Sequence, residues 1–339
     1  MTIPSQSRRV HLIARPSGEA EVGLFEVVTV DTPTPGPGEV LVANEFISVD
    51  PYMFGRMFES PSYADYYGIG EPLAGAAVGY VVESQDSGFA VGDLVVSDLG
   101  WRQYACGAAS EFTKVDPLPG VSNSVYLGAL GTTGMTGYVG LLGAAEFKAG
   151  DVVFVSGAAG GVGTLVGQLA KLRGASLVIG SAGSDEKVEM LTNELGYDLA
   201  FNYKRTPPRK ALRELLDGKG LDVYFDNVGG EHLEAALANM ADHGRIALCG
   251  VISQYSDERP TGPRNLLLAI WKNLTLRGFL VFHYEHMADQ FRAEISQAIL
   301  DGKFVYRETV ANGIDNSPQA FIDMLQGKSE GKMVVRVDS

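Results

Sequence analysis

The chain has 339 residues, too many for one compact core, so two domains are expected, each large enough to bury a core. Its 45% hydrophobic and 20% charged residues are typical of a soluble globular protein and argue against disorder. The net charge of -14 would repel a phosphate backbone over most of the surface, which argues against nucleic acid as a partner and means that a bound anion needs a local cationic pocket.

The first part of the chain, to about Leu118, is predicted to be β-rich. Short apolar runs such as Val40 to Asn44, Ala77 to Glu83 and Leu94 to Asp98 lie between glycines and prolines. No apolar run of signal-peptide length follows the N-terminal arginines, so export is not indicated.

Two stretches carry no charged residue and are long enough to cross a membrane, Pro117 to Ala145 and Val152 to Ala170. Both are rich in Gly, Ser and Thr instead of Leu, Ile and Phe, so we predict buried elements and no membrane association. In the first stretch a glycine recurs every third residue from Gly128 to Gly143, which is expected to let a helix approach other backbone closely.

From Asp151 short apolar strands alternate with longer helical stretches, which predicts a doubly wound parallel sheet. The predicted strands are Val152 to Val155, Ser176 to Ile179, Leu199 to Phe201, Val223 to Phe225, Arg245 to Cys249 and Leu274 to Val281. The predicted helices are Gly163 to Leu172, Asp185 to Leu195, Pro208 to Leu216 and Glu231 to Met240. A last β-run, Met333 to Val337, is expected to return to the first domain.

A glycine-rich turn, Gly157 to Gly163, lies between the first of these strands and an amphipathic helix. Such a turn permits a close backbone approach, and the free N–H groups and dipole at the helix start favour a pyrophosphate. We therefore predict a dinucleotide site, with a structural turn as the alternative.

The tip of the next strand reads Gly180 to Ser184 and has no acidic residue that would bind a ribose 2′-hydroxyl. Asp185 and Glu186 follow, with Lys187 directly behind them. Lys187 together with Tyr203 is predicted to bind the 2′-phosphate of NADP, although a solvated helix face is the alternative for Lys187.

Metal binding is not expected. Cys106 and Cys249 are the two cysteines, so neither a four-cysteine zinc site nor a disulfide framework is readable, and a reducing, cytoplasmic compartment is expected. The five histidines show no metal-ligand spacing with a cysteine: His11, His232, His243, His283 and His286.

Several blocks in one order resemble the zinc-independent medium-chain reductases, a family that includes prostaglandin/leukotriene reductases, plant 2-alkenal reductases and bacterial curcumin reductase. The resemblance covers nearly the whole chain. The blocks are Val49 to Met53, Gly75 to Gly79, Gly157 to Gly163, Gly183 to Lys187, Phe201 to Lys204, Phe225 to Gly230 and Cys249 to Tyr255.

The resemblance implies a GroES-like catalytic domain, residues 1–125 completed by 300–339, and a Rossmann domain, residues 126–299, with NADPH between them. The implied cofactor contacts are Thr136, Gly160, Gly161, Val162, Gly163, Thr164, Lys187, Tyr203 and Ser329, together with a group that would line the nicotinamide half of the cofactor: Asn227, Cys249, Gly250, Val251, Ile252, Ser253, Tyr255, Phe279, Leu280 and Val281. The chain departs from the family in having Ser329 where Asn is common, and Phe54 where Arg often follows Pro-Tyr-Met.

The implied activity is NADPH-dependent reduction of the carbon–carbon double bond of α,β-unsaturated aldehydes or ketones. Without a metal, the charge that develops on the carbonyl oxygen needs a hydrogen-bond donor, and Tyr255 is the candidate, aided by a cofactor ribose hydroxyl. Tyr52 and Tyr63 are secondary candidates, in a segment expected to line an apolar substrate pocket. A quinone reductase and a non-catalytic NADPH-binding protein are the alternatives. A homodimer is also expected, through an edge strand within Leu274 to Val281.

Overall fold

A computed structural model describes residues 3–60, 62–255 and 261–337. The chain divides into two compact units. One comprises Met1–Leu127, Glu308–Ser329 and Met333–Ser339, and the other comprises Gly128–Arg307 and Glu330–Lys332. The domain limits expected from the sequence stay a prediction.

The N-terminal part of the first unit is β-rich, as predicted. Its strands are β1 (Gln6–Leu12), β2 (Phe25–Asp31), β3 (Glu39–Ser48), β4 (Glu71–Pro72), β5 (Ala77–Ser84), β6 (Leu94–Ser97), β7 (Tyr104–Ala108) and β8 (Phe112–Lys114), with one short helix, α1 (Tyr52–Gly55). Strands β2, β1 and β4 form a three-stranded sheet in that order. Trp101 is fully buried, and its indole Nε1 donates to the Ser48 carbonyl oxygen at 3.1 Å, so this large ring satisfies its polar atom inside the core.

The second unit is a six-stranded sheet flanked by helices. Its strands are β9 (Val152–Val155), β10 (Leu177–Ala182), β11 (Leu199–Asn202), β12 (Leu221–Asp226), β13 (Met240–Leu248) and β14 (Thr275–Gly278). Its helices are α2 (Thr132–Val139), α3 (Gly161–Leu172), α4 (Asp185–Asn193), α5 (Pro208–Leu216), α6 (Gly230–Asn239), α7 (Leu267–Trp271) and α8 (Ala288–Leu300). The strand order is β11-β10-β9-β12-β13-β14 and every pair is parallel, which confirms the doubly wound sheet.

Several predicted boundaries in this unit were wrong, among them those of α3, β13 and β14. Helix α3 begins at Gly161 and not at Gly163, and Met240, predicted as the end of a helix, begins β13. The predicted strand Leu274 to Val281 is limited to Thr275–Gly278, because the chain leaves the sheet at Phe279 and packs that ring edge-to-face against Phe225. Strand β14 does lie at the sheet edge, as expected.

Helix α2 continues into a π-helix, Gly140–Ala144, within the glycine-rich stretch. A Cβ at Gly140 would lie 2.5 Å from ring carbons of both Phe225 and Phe279. The expected close approach is therefore present, although here the neighbours are aromatic rings and not backbone.

The tail adds β15 (Glu308–Asn312), α9 (Ser317–Leu325) and β16 (Lys332–Arg336). Strand β16 pairs antiparallel with β3, which confirms that the chain returns to the first unit. The resulting sheet runs β15-β16-β3-β5-β6-β8, with β7 also paired to β3.

Within the described ranges, no helix combines the length and apolar character needed to cross a membrane. Cys106 and Cys249 are both unpaired. The cytoplasmic location stays a prediction.

Candidate dinucleotide site

The glycine-rich turn joins β9 to α3 at the carboxyl edge of the parallel sheet. Gly160 is the N-cap of α3. A Cβ at Gly163 would lie 2.5 Å from the Gly157 carbonyl oxygen, so the first turn of α3 can lie this close to the glycine-rich turn only because residue 163 has no side chain. The first N–H groups of a helix have no intrahelical acceptor and carry the positive end of its dipole. The Thr164 N–H already donates to the Gly160 carbonyl oxygen at 3.0 Å, so the donors at the helix start that suit a pyrophosphate are the N–H groups of Gly161, Val162 and Gly163.

Two groups outside the predicted site hold this turn in place. The Tyr197 hydroxyl donates to the Gly163 carbonyl oxygen at 2.7 Å, and burial raises the pKa of this phenol well above its usual range. The Gly331 N–H donates to the Ala159 carbonyl oxygen at 2.8 Å, which ties the chain before β16 to the turn. Both contacts join residues far apart in sequence, and no local motif predicts them.

Lys187 and Tyr203 lie near the end of β10. The Ser184 hydroxyl oxygen accepts the Lys187 backbone N–H at 3.3 Å, which caps α4 and places Lys187 in its first turn. The Tyr203 hydroxyl oxygen would lie 3.0 Å from a Cβ built at Gly183, and Cε of Lys204 3.4 Å from it. Lys204 was not among the predicted cofactor contacts. It adds a second cation, besides Lys187, near the end of β10.

Lys187 interacts with one acidic and one basic neighbour. Burial lowers the pKa of Lys187, the Glu330 carboxylate raises it, and the Lys204 ammonium lowers it. An anion bound beside two lysines would relieve their repulsion. The nearby acid Asp185 is already engaged: hydrogen bonds from Asn202 and Arg205 lower its pKa. We call Gly161–Thr164, Lys187 and Tyr203 the phosphate end, after the predicted ligand.

Asn227 follows β12 and is held against the end of β9. Its side-chain Nδ2 donates to the Ser156 carbonyl oxygen at 2.8 Å, and its backbone N–H donates to the Ser156 hydroxyl oxygen at 3.0 Å. These bonds fix the orientation of the amide, which is predicted to lie beside the nicotinamide.

The segment after β13 is attached to the turn after β12. The N–H groups of Cys249 and Gly250 both donate to the Asp226 carbonyl oxygen, at 2.9 and 3.0 Å, and the Ser253 N–H donates to the Val228 carbonyl oxygen. Burial, with a contribution from the Asp226 carboxylate, raises the pKa of Cys249 to about 12, so its thiol is neutral. We call Asn227 and Cys249–Tyr255 the nicotinamide end.

Tyr255 lies at the C-terminal end of the 3₁₀ helix Ile252–Gln254 and is half-buried. Its hydroxyl oxygen would lie 3.5 Å from a Cβ at Gly250. The Tyr255 side chain therefore lies over the segment that begins at Cys249, which contains other residues of the predicted nicotinamide contact.

Phe279 and Leu280 lie just beyond β14, and Val281 begins a 3₁₀ segment. All three are half-buried. The Thr136 hydroxyl, in α2, donates to the Thr132 carbonyl oxygen at 2.8 Å, which leaves its oxygen able to accept. Their contacts with a cofactor stay predictions.

The remaining candidates belong to the first unit. Tyr52 begins α1 and is half-buried, and burial together with Asp50 raises the pKa of its phenol, so it is protonated at neutral pH. Tyr63 is 57% exposed, whereas Ser329 is buried. The roles predicted for Tyr52, Tyr63 and Ser329 stay predictions.

Across residues 3–60, 62–255 and 261–337, no group of three or more His, Cys, Asp or Glu side chains is arranged to hold a metal ion. His232 is buried on α6 against the rings of Tyr203 and Phe154, at 5.1 and 6.5 Å between centroids. It packs beneath the phosphate end.

The fold and the turn geometry define a two-unit oxidoreductase with a dinucleotide-binding sheet. Family models agree: residues 8–115 match the N-terminal domain of oxidoreductase, and residues 161–298 match zinc-binding dehydrogenase. The chain belongs to the medium-chain dehydrogenase/reductase family.

Similar proteins include enzymes with named activities. The chain is 42% identical to the 2-alkenal reductase (NADP(+)-dependent) of Nicotiana tabacum, over 91% of each chain. It is 37% identical to the NADPH-dependent curcumin reductase of Escherichia coli (strain K12), over 98% of this chain and 97% of the relative. The crystal structure of CurA in complex with NADPH from Vibrio vulnificus superposes with a TM-score of 0.92 at 37% identity, covering 98% and 99% of the two chains.

Proposed function

We propose that the protein is an NADPH-dependent reductase of the carbon–carbon double bond in α,β-unsaturated aldehydes and ketones. The observation that carries the proposal is the phosphate end, in which a glycine-lined helix N-terminus lies in the same unit as Lys187, Tyr203 and Lys204. The names of the relatives, a 2-alkenal reductase and a curcumin reductase, support the substrate class.

The residues present fit the cofactor. The N–H groups of Gly161, Val162 and Gly163 would bind the pyrophosphate, with Thr164 beside them, and Lys187 with Tyr203 would bind the 2′-phosphate. The nicotinamide half would lie against Asn227 and Cys249–Ser253, with further contacts from Thr136, Phe279, Leu280, Val281 and Ser329.

When bound, NADPH supplies a hydride to the β-carbon of the substrate. The protein's task is to stabilise the negative charge that develops on the carbonyl oxygen as the enolate forms. The Tyr255 hydroxyl would donate a hydrogen bond to that oxygen, aided by a cofactor ribose hydroxyl, and this bond strengthens in the transition state. Solvent or a tyrosine, with Tyr52 and Tyr63 as candidates, would return the second proton to the α-carbon.

The test is to incubate the purified protein with NADPH and a panel of 2-alkenals, enones and quinones, following loss of reduced-cofactor absorbance and identifying products by mass spectrometry. Saturated aldehydes and ketones are expected. Hydroquinones alone would favour a quinone reductase, and tight NADPH binding with no turnover across the panel would favour a non-catalytic protein. Either result would contradict the proposal.

We also propose a homodimer formed through the edge strand β14. Edge strands present unpaired backbone groups, and the helix just before this strand exposes large apolar side chains. These are Leu266, Leu267, Ile270 and Trp271, which are 50–71% exposed. Light scattering is expected to show a dimer that Trp271→Glu converts to monomer, whereas Val91→Glu, at a comparably exposed position of the first unit, leaves it intact. A monomeric wild-type protein would contradict this.

A further inference from the structure

Asp226 is a buried carboxyl group to which neither the predicted site nor the proposed reaction gives a role. It ends β12, and its side chain is fully buried. Its Oδ1 accepts four hydrogen bonds: from the hydroxyls of Tyr224 and Ser156 at 2.6 and 3.2 Å, and from the N–H groups of Val228 and Gly229 at 3.0 and 2.8 Å. Its Oδ2 is buried and has no partner among the residues that the structure describes.

Asp226 lies at the centre of the nicotinamide end. Ser156, which donates to it, also accepts the Asn227 backbone N–H, and the Asp226 carbonyl oxygen accepts the N–H groups of Cys249 and Gly250. The carboxyl ends of β9, β12 and β13 are thus joined through this one residue. Its carboxyl group consequently has a fixed position beneath Asn227 and the segment after β13.

The hydrogen bonds favour the ionised form of this carboxyl group. Four donors converge on one oxygen, and such bonds stabilise a carboxylate more than a neutral acid. Burial is the largest influence and raises the pKa of Asp226 above its usual value, and the hydrogen bonds from Tyr224, Gly229, Val228 and Ser156 offset part of that rise. The neighbouring Cys249 thiol is neutral, because burial raises its pKa to about 12.

We propose that Asp226 is a positioning residue whose fixed negative charge, behind the nicotinamide end, favours the oxidised cofactor over the reduced one. The inference rests on the proposed function. The oxidised nicotinamide ring carries a positive charge and the reduced ring is neutral, so a nearby anion in a low-dielectric interior stabilises the oxidised ring selectively. The same charge would stabilise the transition state, in which that positive charge develops as hydride leaves.

The test compares the dissociation constants of NADP⁺ and NADPH, measured by calorimetry, for wild-type protein and Asp226→Asn. Loss of the charge is expected to raise the ratio of the NADP⁺ constant to the NADPH constant by roughly 3- to 10-fold. A merely structural role would weaken both cofactors equally and leave the ratio unchanged. Asp222→Asn is the matched control, since it makes the same substitution at the opposite end of the same strand and is expected to leave the ratio unchanged.

Asp226→Asn places an amide where the unpartnered Oδ2 lies, and this variant can fail to fold. Asp226→Ser is a second neutral variant that retains an acceptor, and thermal unfolding identifies which of the two is native. An unchanged ratio in a folded neutral variant would overturn the inference and leave the proposed function standing. Wild-type protein that binds neither NADPH nor NADP⁺ would overturn both.

Discussion

The phosphate end and the nicotinamide end belong to the same unit but are built in different ways. The phosphate end consists of backbone N–H groups at the start of α3 and of the partly exposed side chains Lys187 and Tyr203. The nicotinamide end depends on a buried network in which Asp226 and Ser156 join the ends of three strands. The first requires only close backbone approach and local charge, whereas the second requires that distant parts of the chain pack correctly. Substitutions at the phosphate end are therefore expected to change the affinity for the cofactor. Substitutions at the nicotinamide end are expected to change turnover or the preference for the oxidised over the reduced cofactor.

His232 packs beneath the phosphate end. Its titration is expected to change the free energy of unfolding with pH, and this is the largest of the predicted effects. Burial lowers the pKa of this imidazole from 6.5 to about 4. Because the folded-state pKa lies below the unfolded one, the stability contribution is full above pH 6.5 and is lost as the pH falls towards 4. The unfolding free energy of the wild type should fall by about 3 kcal/mol more than that of His232→Phe over this range.

Chemical denaturation at several pH values measures this difference. His283→Phe, at an exposed position, is the control and should retain the wild-type pH dependence. Parallel pH curves for wild type and His232→Phe would show that the imidazole is not held neutral by burial.

Tyr255→Phe tests the chemistry at the nicotinamide end. Removing the donor to the developing enolate is expected to lower kcat about 100-fold, whereas the Kd for NADPH should change little. Steady-state kinetics together with calorimetry separate the two quantities. Tyr63→Phe, the same change at an exposed tyrosine of the first unit, is the comparison and is expected to have a smaller effect. Turnover by Tyr255→Phe at the wild-type rate would remove Tyr255 from the mechanism.

Gly163→Ala tests the backbone geometry of the phosphate end. The new Cβ would lie 2.5 Å from the Gly157 carbonyl oxygen, so the turn must move away from the helix start. NADPH binding is expected to weaken by about 2 kcal/mol, or roughly 30-fold, as measured by calorimetry. Gly278→Ala, in the same unit, is the control, because no atom lies within 4 Å of a Cβ built there. Equal losses in both variants would contradict the close-approach argument.

Lys187→Ala gives the smallest expected change and the most selective one. Loss of a charged contact to the 2′-phosphate should weaken NADPH about 10-fold and leave NADH binding unaltered. Lys210→Ala, on the exposed face of α5, removes the same charge from elsewhere in this unit and is expected to change neither. A parallel loss of NADPH and NADH affinity would indicate that Lys187 stabilises the fold and does not recognise the phosphate.

Local patterns were sufficient to predict the parallel sheet and the glycine-rich turn that joins β9 to α3, whereas the cofactor contacts of the phosphate end stay a prediction. The strand, glycine turn and helix from Val152 to Leu172 are contiguous, and their residue types are dictated by backbone conformation, so the prediction missed only the first helical residues. The run from Leu274 to Val281 was harder, since its apolar residues suit both a strand and the aromatic packing that Phe279 makes on Phe225.

The supports of the site were not predictable in this way. Tyr197 binds Gly163 across 34 residues, and Ser156 binds Asp226 across 70. No spacing rule connects such pairs, because their proximity is created by strand order. In a single sequence, a tyrosine or aspartate in an apolar strand that supports a site also cannot be distinguished from an ordinary core residue.

The most direct test of the account is the affinity of the wild-type protein for NADPH and for NADH, measured by calorimetry under identical conditions. The phosphate end predicts that NADPH binds at least about 10-fold more tightly than NADH. Equal affinities, or no binding of NADPH, would contradict the assignment of Lys187 and Tyr203 and with it the proposed function.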